Sequence, residues 1–461
     1  MLRETPSNID TIVVGAGPGG LYTAIELYRQ GHSVAVLESR DKLEPVGDFV
    51  GIGPSVTKQF EKWPGMMQTY RDSIYRPDLF LLAHDGKQLG GPFHLSEKSD
   101  YRPVPISRTT LVQFLYDYAI SLGIPVLFSK KVATYGESDD GTRAFVVTES
   151  NERFEADLVV AADGIGTKAT AITNGKEIKA FSSGQSVYRV TYPTALLKQN
   201  SFLSNIYTFG PGQPDYCEVY LSLKGTMIIL VSPETTTWLF THVDTGSAAQ
   251  ESWAKTLSVS DVMATLSETE VEWDRRCLEI IQLTPSGSIT DYKLTFRDPN
   301  PEWTSKGGRI VKIGDAAHSF IPNSSNGATQ AMEDGQSLAA CLRLAGKQNI
   351  SLATRIHTRL RFERTSCAQK NGFKNREKWA TNSFDAIRQN PLMAVKSIGR
   401  WLSNHDPEQY VYDNWVACLN HLVSGSGFKN TNLPPGYEYE PWTMDELLAS
   451  GVQDVDSGDW D

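Results

Sequence analysis

TIVVGAGPGGLYTAIELYRQGHSVAVLES, residues 11–39, sets the architecture of the N-terminal part of the chain. The apolar run 12–14 predicts a short buried strand, and the glycines behind it end that strand abruptly. From 21 to 30 the period changes: Leu21, Ala24, Ile25, Leu27 and Tyr28 share one helical face until Gly31 stops the helix. Residues 33–37 predict a second strand, so the stretch is one βαβ unit. Gly15, Gly17 and Gly20 lie between strand and helix with G-x-G-x-x-G spacing, and Glu38 closes the next strand 23 residues beyond Gly15. Gly15 permits the tight turn, Gly17 lets backbone approach a pyrophosphate, and Gly20 lets helix and strand pack closely. The helix N-terminus adds positive potential, and Glu38 can accept from the hydroxyls of an adenosine ribose. The pattern alone does not separate a nicotinamide from a flavin dinucleotide.

Around this unit the chain has 461 residues, 40% apolar and 21% charged, which suits a globular protein with a large buried core. Its net charge of −10 repels phosphate backbones and anionic lipid heads, which argues against a nucleic-acid partner. No apolar run approaches the roughly 20 residues that span a bilayer, and MLRETPSNID at the N-terminus lacks the regions of a signal peptide. The expectation is a cytoplasmic chain with no membrane partner. Five widely spaced cysteines (Cys217, Cys277, Cys341, Cys367, Cys418) predict neither a disulfide framework nor a zinc site, and no metal is expected.

Further along, residues 40–110 alternate loops and short elements, and 109–122 read as a helix with Leu111, Phe114, Leu115, Tyr118 and Leu122 on its apolar face. A strand at 125–128 follows, then FVVTES and DLVVAA as two strands ending at Asp163-Gly164. From 185 to 296 the pattern turns β-rich, with a helical insertion near 258–269. GRIVKIG (308–314) returns to a buried strand, followed by a helix over 328–345. The expected architecture is α/β: a Rossmann-like, discontinuous dinucleotide-binding domain (1–180 and 297–375) with an inserted β-sheet substrate domain (181–296). A C-terminal helical region (376–461) ends in an acidic tail, GVQDVDSGDWD, expected to be disordered.

GDAAHSFIPNSSNGATQAMEDG, residues 314–335, resembles the second FAD fingerprint of the single-component flavin monooxygenases, the group of salicylate and para-hydroxybenzoate hydroxylases. The resemblance implies a para-hydroxybenzoate hydroxylase-like fold binding FAD non-covalently. It places Asp315 on the ribityl chain, Pro322 along the isoalloxazine and Gly327 at a helix N-terminus by the pyrimidine. That assignment is physically sound, since a carboxylate suits sugar hydroxyls and a helix N-terminus stabilises negative charge on a reduced flavin. Ser325, Asn326 and Thr329 stand where the family usually has Gly, Gln and Asn. His318 reads as a structural residue of the turn. Asp163-Gly164-Ile165-Gly166-Thr167 is similar to the family's Asp-Gly motif, implicated in FAD and nicotinamide binding, with Thr167 and Thr170 replacing its usual Ser and Arg. Arg108 matches the arginine that contacts FAD.

On the substrate side, GDFVGIGPSV (47–56) carries Asp48, and VYRVTYP (187–193) puts Arg189 on a strand with Val187 and Thr191 pointing the same way. Both stretches are similar to those of fungal monooxygenases acting on indole alkaloids. In the functional reading Arg189 supplies a fixed charge and hydrogen-bond donors beside a substrate or peroxide oxygen, and Asp48 holds a substrate amine or moves a proton. In the bland reading Asp48 caps a turn and Arg189 joins a surface ion pair. The resemblance implies a monooxygenase in which NADPH or NADH reduces FAD, O2 adds at the flavin C4a, and the hydroperoxide gives one oxygen to an electron-rich aromatic or indole substrate, possible indole products being a 2,3-epoxide and then an oxindole. The alternatives are a salicylate-type phenol hydroxylase, a flavin oxidase and a non-enzymatic Rab escort-like protein. No G-x-S-x-G, H-E-x-x-H or phosphate-loop motif supports a hydrolase or NTPase, and no second complete G-x-G-x-x-G is present.

Overall fold

The computed structural model describes residues 1–44, 47–94, 102–244, 256–381, 383–395, 398–450 and 457–460. Strands Asp10–Val14, Ser33–Leu37, Val126–Leu127, Leu158–Ala161 and Ile310–Lys312 form a parallel sheet, with Asp10–Val14 between Leu158–Ala161 and Ser33–Leu37. Successive side chains point to opposite faces, and both faces are covered, as parallel sheets require. Val13 packs toward helices Pro18–Arg29, Arg108–Ser121 and Gly327–Ala345, while Ile12 and Val14 pack toward a three-stranded antiparallel sheet built from Val132–Glu137, Ala144–Thr148 and Arg153–Ala156. The late strand Ile310–Lys312 joins Leu158–Ala161 in register, which brings residues 314–335 beside the first glycine turn. The helices begin three residues and one residue before their sequence-expected starts, at Pro18 and Arg108, because Pro18 and the Ser107 cap start them there.

A second, eight-stranded sheet runs Thr256–Leu257, Ile289–Phe296, Phe181–Pro193, Thr235–Val243, Gly225–Val231, Asp215–Ser222, Pro77–Ala83, Gln88–His94. Two of its strands come from before residue 180, so the expected boundary at 180/181 does not separate the sheets. The physical reason is edge pairing: Asp215–Ser222 needs a partner on its outer side, and the apolar run Pro77–Ala83 pairs there in parallel. Along Phe181–Pro193 the alternation sorts side chains by face. Tyr188, Val190 and Tyr192 enter an apolar core with Met227, Trp238 and Phe240, whereas Val187 and Arg189 face the opposite way.

The C-terminal part is helical, dominated by Ile350–Thr381, which packs along Gly327–Ala345, and by Pro407–Ser424. Residues 451–456 and 461 of the acidic tail lie outside the described residues. Trp460 corrects the expectation of disorder for the rest: it is 8% exposed, its ring 5.0 Å from Tyr437 and 6.0 Å from Trp401, with the Lys374 ammonium 4.0 Å above it. One large aromatic surface outweighs the acidic composition around it. All five cysteines are buried, and none is in a disulfide. No helix among the described residues is long and apolar enough to cross a membrane.

Candidate functional site

The two sheets and the Gly327–Ala345 helix enclose a cavity of about 790 Å³. Gly15, Gly17, Gly20, Glu38, Asp48, Arg108, Asp163, Arg189, Asp315, Pro322 and Gly327 all line it. Residues as far apart in sequence as Gly15 and Gly327 therefore meet around one volume, which the late strand Ile310–Lys312 makes possible.

At one end lies the glycine turn. A Cβ on Gly20 would sit 2.0 Å from the Gly15 carbonyl oxygen, so helix and turn touch at van der Waals limit only because residue 20 has no side chain. A Cβ on Gly17 would meet no protein atom within 4 Å and would project into the cavity instead. The Pro18–Arg29 helix has no side chain capping its N-terminus, leaving its first N–H groups for a ligand. Glu38 Oε2 accepts from the Ala16 N–H at 2.9 Å, and Oε1 accepts from the Arg40 N–H and the Ser39 hydroxyl. An ionised carboxylate has about four acceptor positions, so one is left for a ribose hydroxyl.

Asp163 and Asp315 follow. The Tyr135 hydroxyl donates to Asp163 Oδ2 at 2.7 Å, while Oδ1 is buried with no partner. Burial raises the pKa of Asp163, opposed by its hydrogen bonds to Thr167 and Tyr135. The low-polarity surroundings of Asp315 raise its pKa too, with the charges of His318 and Arg108 pulling the other way. The turn carrying Asp315 is held from behind: Asp334 Oδ2 accepts from the Gly314 N–H at 3.0 Å and lies 2.6 Å from His318 Nε2. His318 is buried behind the turn and does not line the cavity. Asp334 is held in turn by Arg361 Nε at 2.8 Å. Burial alone would raise Asp334, but His318 and Arg361 outweigh it and keep the carboxyl well below its usual range.

At the far end, Ser325 adopts φ 50°, a left-handed conformation that favours glycine, which gives a physical reason for the family's usual residue there. Asn326 Nδ2 is buried, unpartnered and part of the lining residue. Thr329 turns away: its hydroxyl accepts from the Gly53 N–H at 3.0 Å and ties the Phe49–Ile52 strand to the helix. The N-terminus of Gly327–Ala345 has no side-chain cap either. Two uncapped helix N-termini, an orphaned acceptor at Asp163, an orphaned donor at Asn326 and an open cradle at Gly17 together fit an elongated, anionic flavin dinucleotide.

The substrate side is a wall of the eight-stranded sheet. Val187, Ile228, Leu239, Tyr292 and Leu294 present an apolar surface, joined by Phe320 and by Trp379 from the long C-terminal helix. Arg189 and Asp48 stand in it as a pair, Nη1 to Oδ2 3.5 Å, both side chains 10% exposed. The guanidinium also lies 4.5 Å from the centre of the Tyr292 ring. Neither reading from the sequence anticipated this: the two residues are partners of each other, and the pair is buried. The Asp48 carbonyl accepts from the Arg108 N–H at 2.8 Å, which ties the segment leading into the strand Phe49–Ile52 to the start of the Arg108–Ser121 helix. Tyr135, Tyr292, Trp379, Asp334 and Arg361 escaped sequence reading. For Tyr292 a signal existed, since it alternates with Leu294 along one strand face.

The description "FAD binding domain" fits residues 8–349 of the chain. The chain is similar to the FAD-dependent monooxygenase fsr3 of Gibberella fujikuroi, 34% identical over 476 residues that span 100% of this chain and 91% of that protein. It is similar to the crystal structure of FqzB, with a TM-score of 0.82 and 28% identity over 94% of this chain and 98% of that one. CtdE in complex with FAD and substrate 4 superposes with a TM-score of 0.80 and 27% identity, covering 90% of this chain and 100% of that one. FAD is the cofactor that the cradle accommodates, and the chain belongs to the FAD-binding monooxygenases, among the fungal FAD-dependent monooxygenases of secondary metabolism.

Proposed function

We propose that this enzyme uses NADPH or NADH and O2 to insert one oxygen atom into an electron-rich aromatic substrate, an indole before other rings, giving a 2,3-epoxide that collapses to a hydroxylated or rearranged oxindole. The observation that carries this reading is the buried Arg189–Asp48 pair in a largely apolar wall, where Thr241 and Thr295 are the other polar side chains from the sheet. FAD, when bound and reduced, supplies the oxygen atom in electrophilic form. The turn shaped by Gly15 and Gly20 would present Gly17 to its pyrophosphate, with Glu38 at its adenosine ribose, Asp163, Asp315 and Arg108 along its middle, and Pro322 and Gly327 at its ring end. Strands Pro77–Ala83 and Gln88–His94 belong with the substrate part, and the rest of 1–180 with the cofactor part. That CtdE holds FAD and a substrate together supports one shared cavity here.

Arg189 places a permanent cation where negative charge develops on oxygen, because a guanidinium does not deprotonate near neutral pH. Asp48 holds that cation in position and offers an acceptor to a substrate N–H. The apolar residues around the pair exclude water, which would otherwise divert the oxygen to peroxide. No histidine lines the cavity among the described residues, and the carboxylate of Asp48 is already engaged by Arg189. A phenol would need its proton removed, whereas an indole needs only an acceptor for its N–H, so the wall favours the indole. The test is turnover under labelled O2 with parallel panels of indoles and phenols. The reading expects substrate-stimulated NADPH or NADH oxidation and an indole product heavier by one labelled oxygen. Label from water would overturn oxygen transfer, phenol-only products would overturn the indole, and oxidation without product would point to an oxidase.

A further inference from the structure

A second cavity, about 150 Å³, lies against the other side of the turn that carries Asp315: Ala316 and Ala317 form part of its wall. Thr170, Lys179, Arg297, Asp298, Asn300 and Lys312 line it as well. In a chain of net charge −10, this wall sets three basic side chains against one carboxylate.

Lys312 is the anomaly. On the strand Ile310–Lys312, Ile310 faces the cluster that contains Ala161, Ala169 and Ile172. Lys312, two residues on, shares that face and points toward the helix Thr170–Thr173. It is 3% exposed. Its ammonium carries three donors and has one hydrogen bond, to Asn174 Oδ1 at 2.8 Å, with no carboxylate at ion-pair distance among the described residues. The nearby Asp298 carboxylate is used elsewhere, accepting from the Met444 N–H at 2.8 Å. Buried charges are normally paired, because an unpaired one gives up its hydration for nothing. Burial, then the charge of Arg297, lowers the pKa of Lys312 to about 7, with Glu302 opposing. Arg297 also donates to the Ile165 carbonyl, which links this cavity to the loop carrying Asp163.

We propose that the second cavity binds a phosphate-sized oxyanion through Lys312 and Lys179, either free phosphate or the phosphoryl group of a dinucleotide. An oxyanion would complete the donors of Lys312 and balance the surplus positive charge of the wall. Lys179 is exposed at the cavity's rim and would meet a ligand entering from solvent.

The test is calorimetric titration of the FAD-loaded enzyme with inorganic phosphate at low ionic strength, in the wild type, Lys312→Met and Lys179→Ala. Saturable single-site binding is expected, weakened about tenfold or more in Lys312→Met, which is about 1.4 kcal/mol, and severalfold in Lys179→Ala. Lys312→Met keeps the chain length and removes the charge. If it fails to fold, the exposed Lys179→Ala decides. Titration with NADP⁺ and NAD⁺ separates the sources. Binding of NADP⁺ that phosphate competes away and that Lys179→Ala weakens assigns the dinucleotide, and phosphate binding alone assigns the free anion. No saturable phosphate binding, or wild-type affinity in both variants, would overturn the site.

Discussion

Alanine at Gly17 and alanine at Gly20 should fail in opposite ways. At Gly17 the backbone (φ −73°, ψ 177°) suits any residue, and the new Cβ meets no protein atom within 4 Å. The only cost to the fold is a poorer helix N-cap, about 1 kcal/mol at most. The methyl group instead occupies the cavity where a pyrophosphate would approach the helix. Losing two charge-assisted hydrogen bonds of roughly 1.5–3 kcal/mol each weakens FAD binding by about 3–6 kcal/mol, roughly a hundredfold to ten-thousandfold. At Gly20 the Cβ falls 2.0 Å from the Gly15 carbonyl oxygen and 3.1 Å from its carbon. Both are backbone atoms and cannot rotate away, so the overpacking cost of about 1–3 kcal/mol or more falls on the fold itself. The assay is thermal melting of each apoprotein, followed by FAD titration monitored by flavin fluorescence. Gly17→Ala should melt with the wild type and lose FAD, while Gly20→Ala should melt several degrees lower before any FAD is added. FAD affinity within twofold of wild type in Gly17→Ala would refute the pyrophosphate assignment, and unchanged melting of Gly20→Ala would refute the described strand–helix contact.

Arg189→Ala should cut product formation roughly tenfold to a thousandfold at normal FAD content, with Arg189→Lys recovering only part because an ammonium lacks the planar fork; equal turnover in Ala and wild type would make the pair structural. Asp48→Asn should leave FAD content unchanged and alter turnover or product ratio, read by product analysis under the same conditions. Burial lowers His32 from 6.5 to about 4, against the hydrogen bond to the Ala339 carbonyl. The unfolded chain therefore takes up this proton first, and the contribution is intact above about 6.5 and lost as pH falls toward about 4. His32→Gln should flatten the melting-temperature decline across that window, and an unchanged slope would sink the assignment. Trp460→Ala should destabilise by about 2 kcal/mol, the scale of one buried large apolar side chain, measured by urea unfolding.

Local patterns carried the contacts of the site, and distant pairings carried its positioning. Gly15, Gly17 and Gly20 are legible because a turn, a close approach and a helix start are all properties of one short stretch. Asp315, Pro322 and Gly327 were named through the resemblance of 314–335 to a known fingerprint. Pro77–Ala83 was read with the loops around it because its partner, Asp215–Ser222, lies more than 130 residues away. The pairing of Asp48 with Arg189 joins the segment before Phe49–Ile52 to a strand of the eight-stranded sheet about 140 residues later, and no spacing rule links them.

The helix Ile350–Thr381 shows the difficulty most sharply. It is rich in charged residues, yet Arg361 and Arg364 are 1% and 0% exposed. They are buried because Glu333 and Asp334 face them from the helix Gly327–Ala345, with Arg361 Nε 2.8 Å from Asp334 and Arg364 Nε 2.9 Å from Glu333. Each charge is tolerable only with its partner, so neither helix alone reveals the arrangement. Removing one side strands the other, and Asp334 is also the group that accepts from the Gly314 N–H. Loss of Arg361 would therefore reach the cofactor cradle through Asp334 and the turn that presents Asp315, although Arg361 itself does not line the cavity.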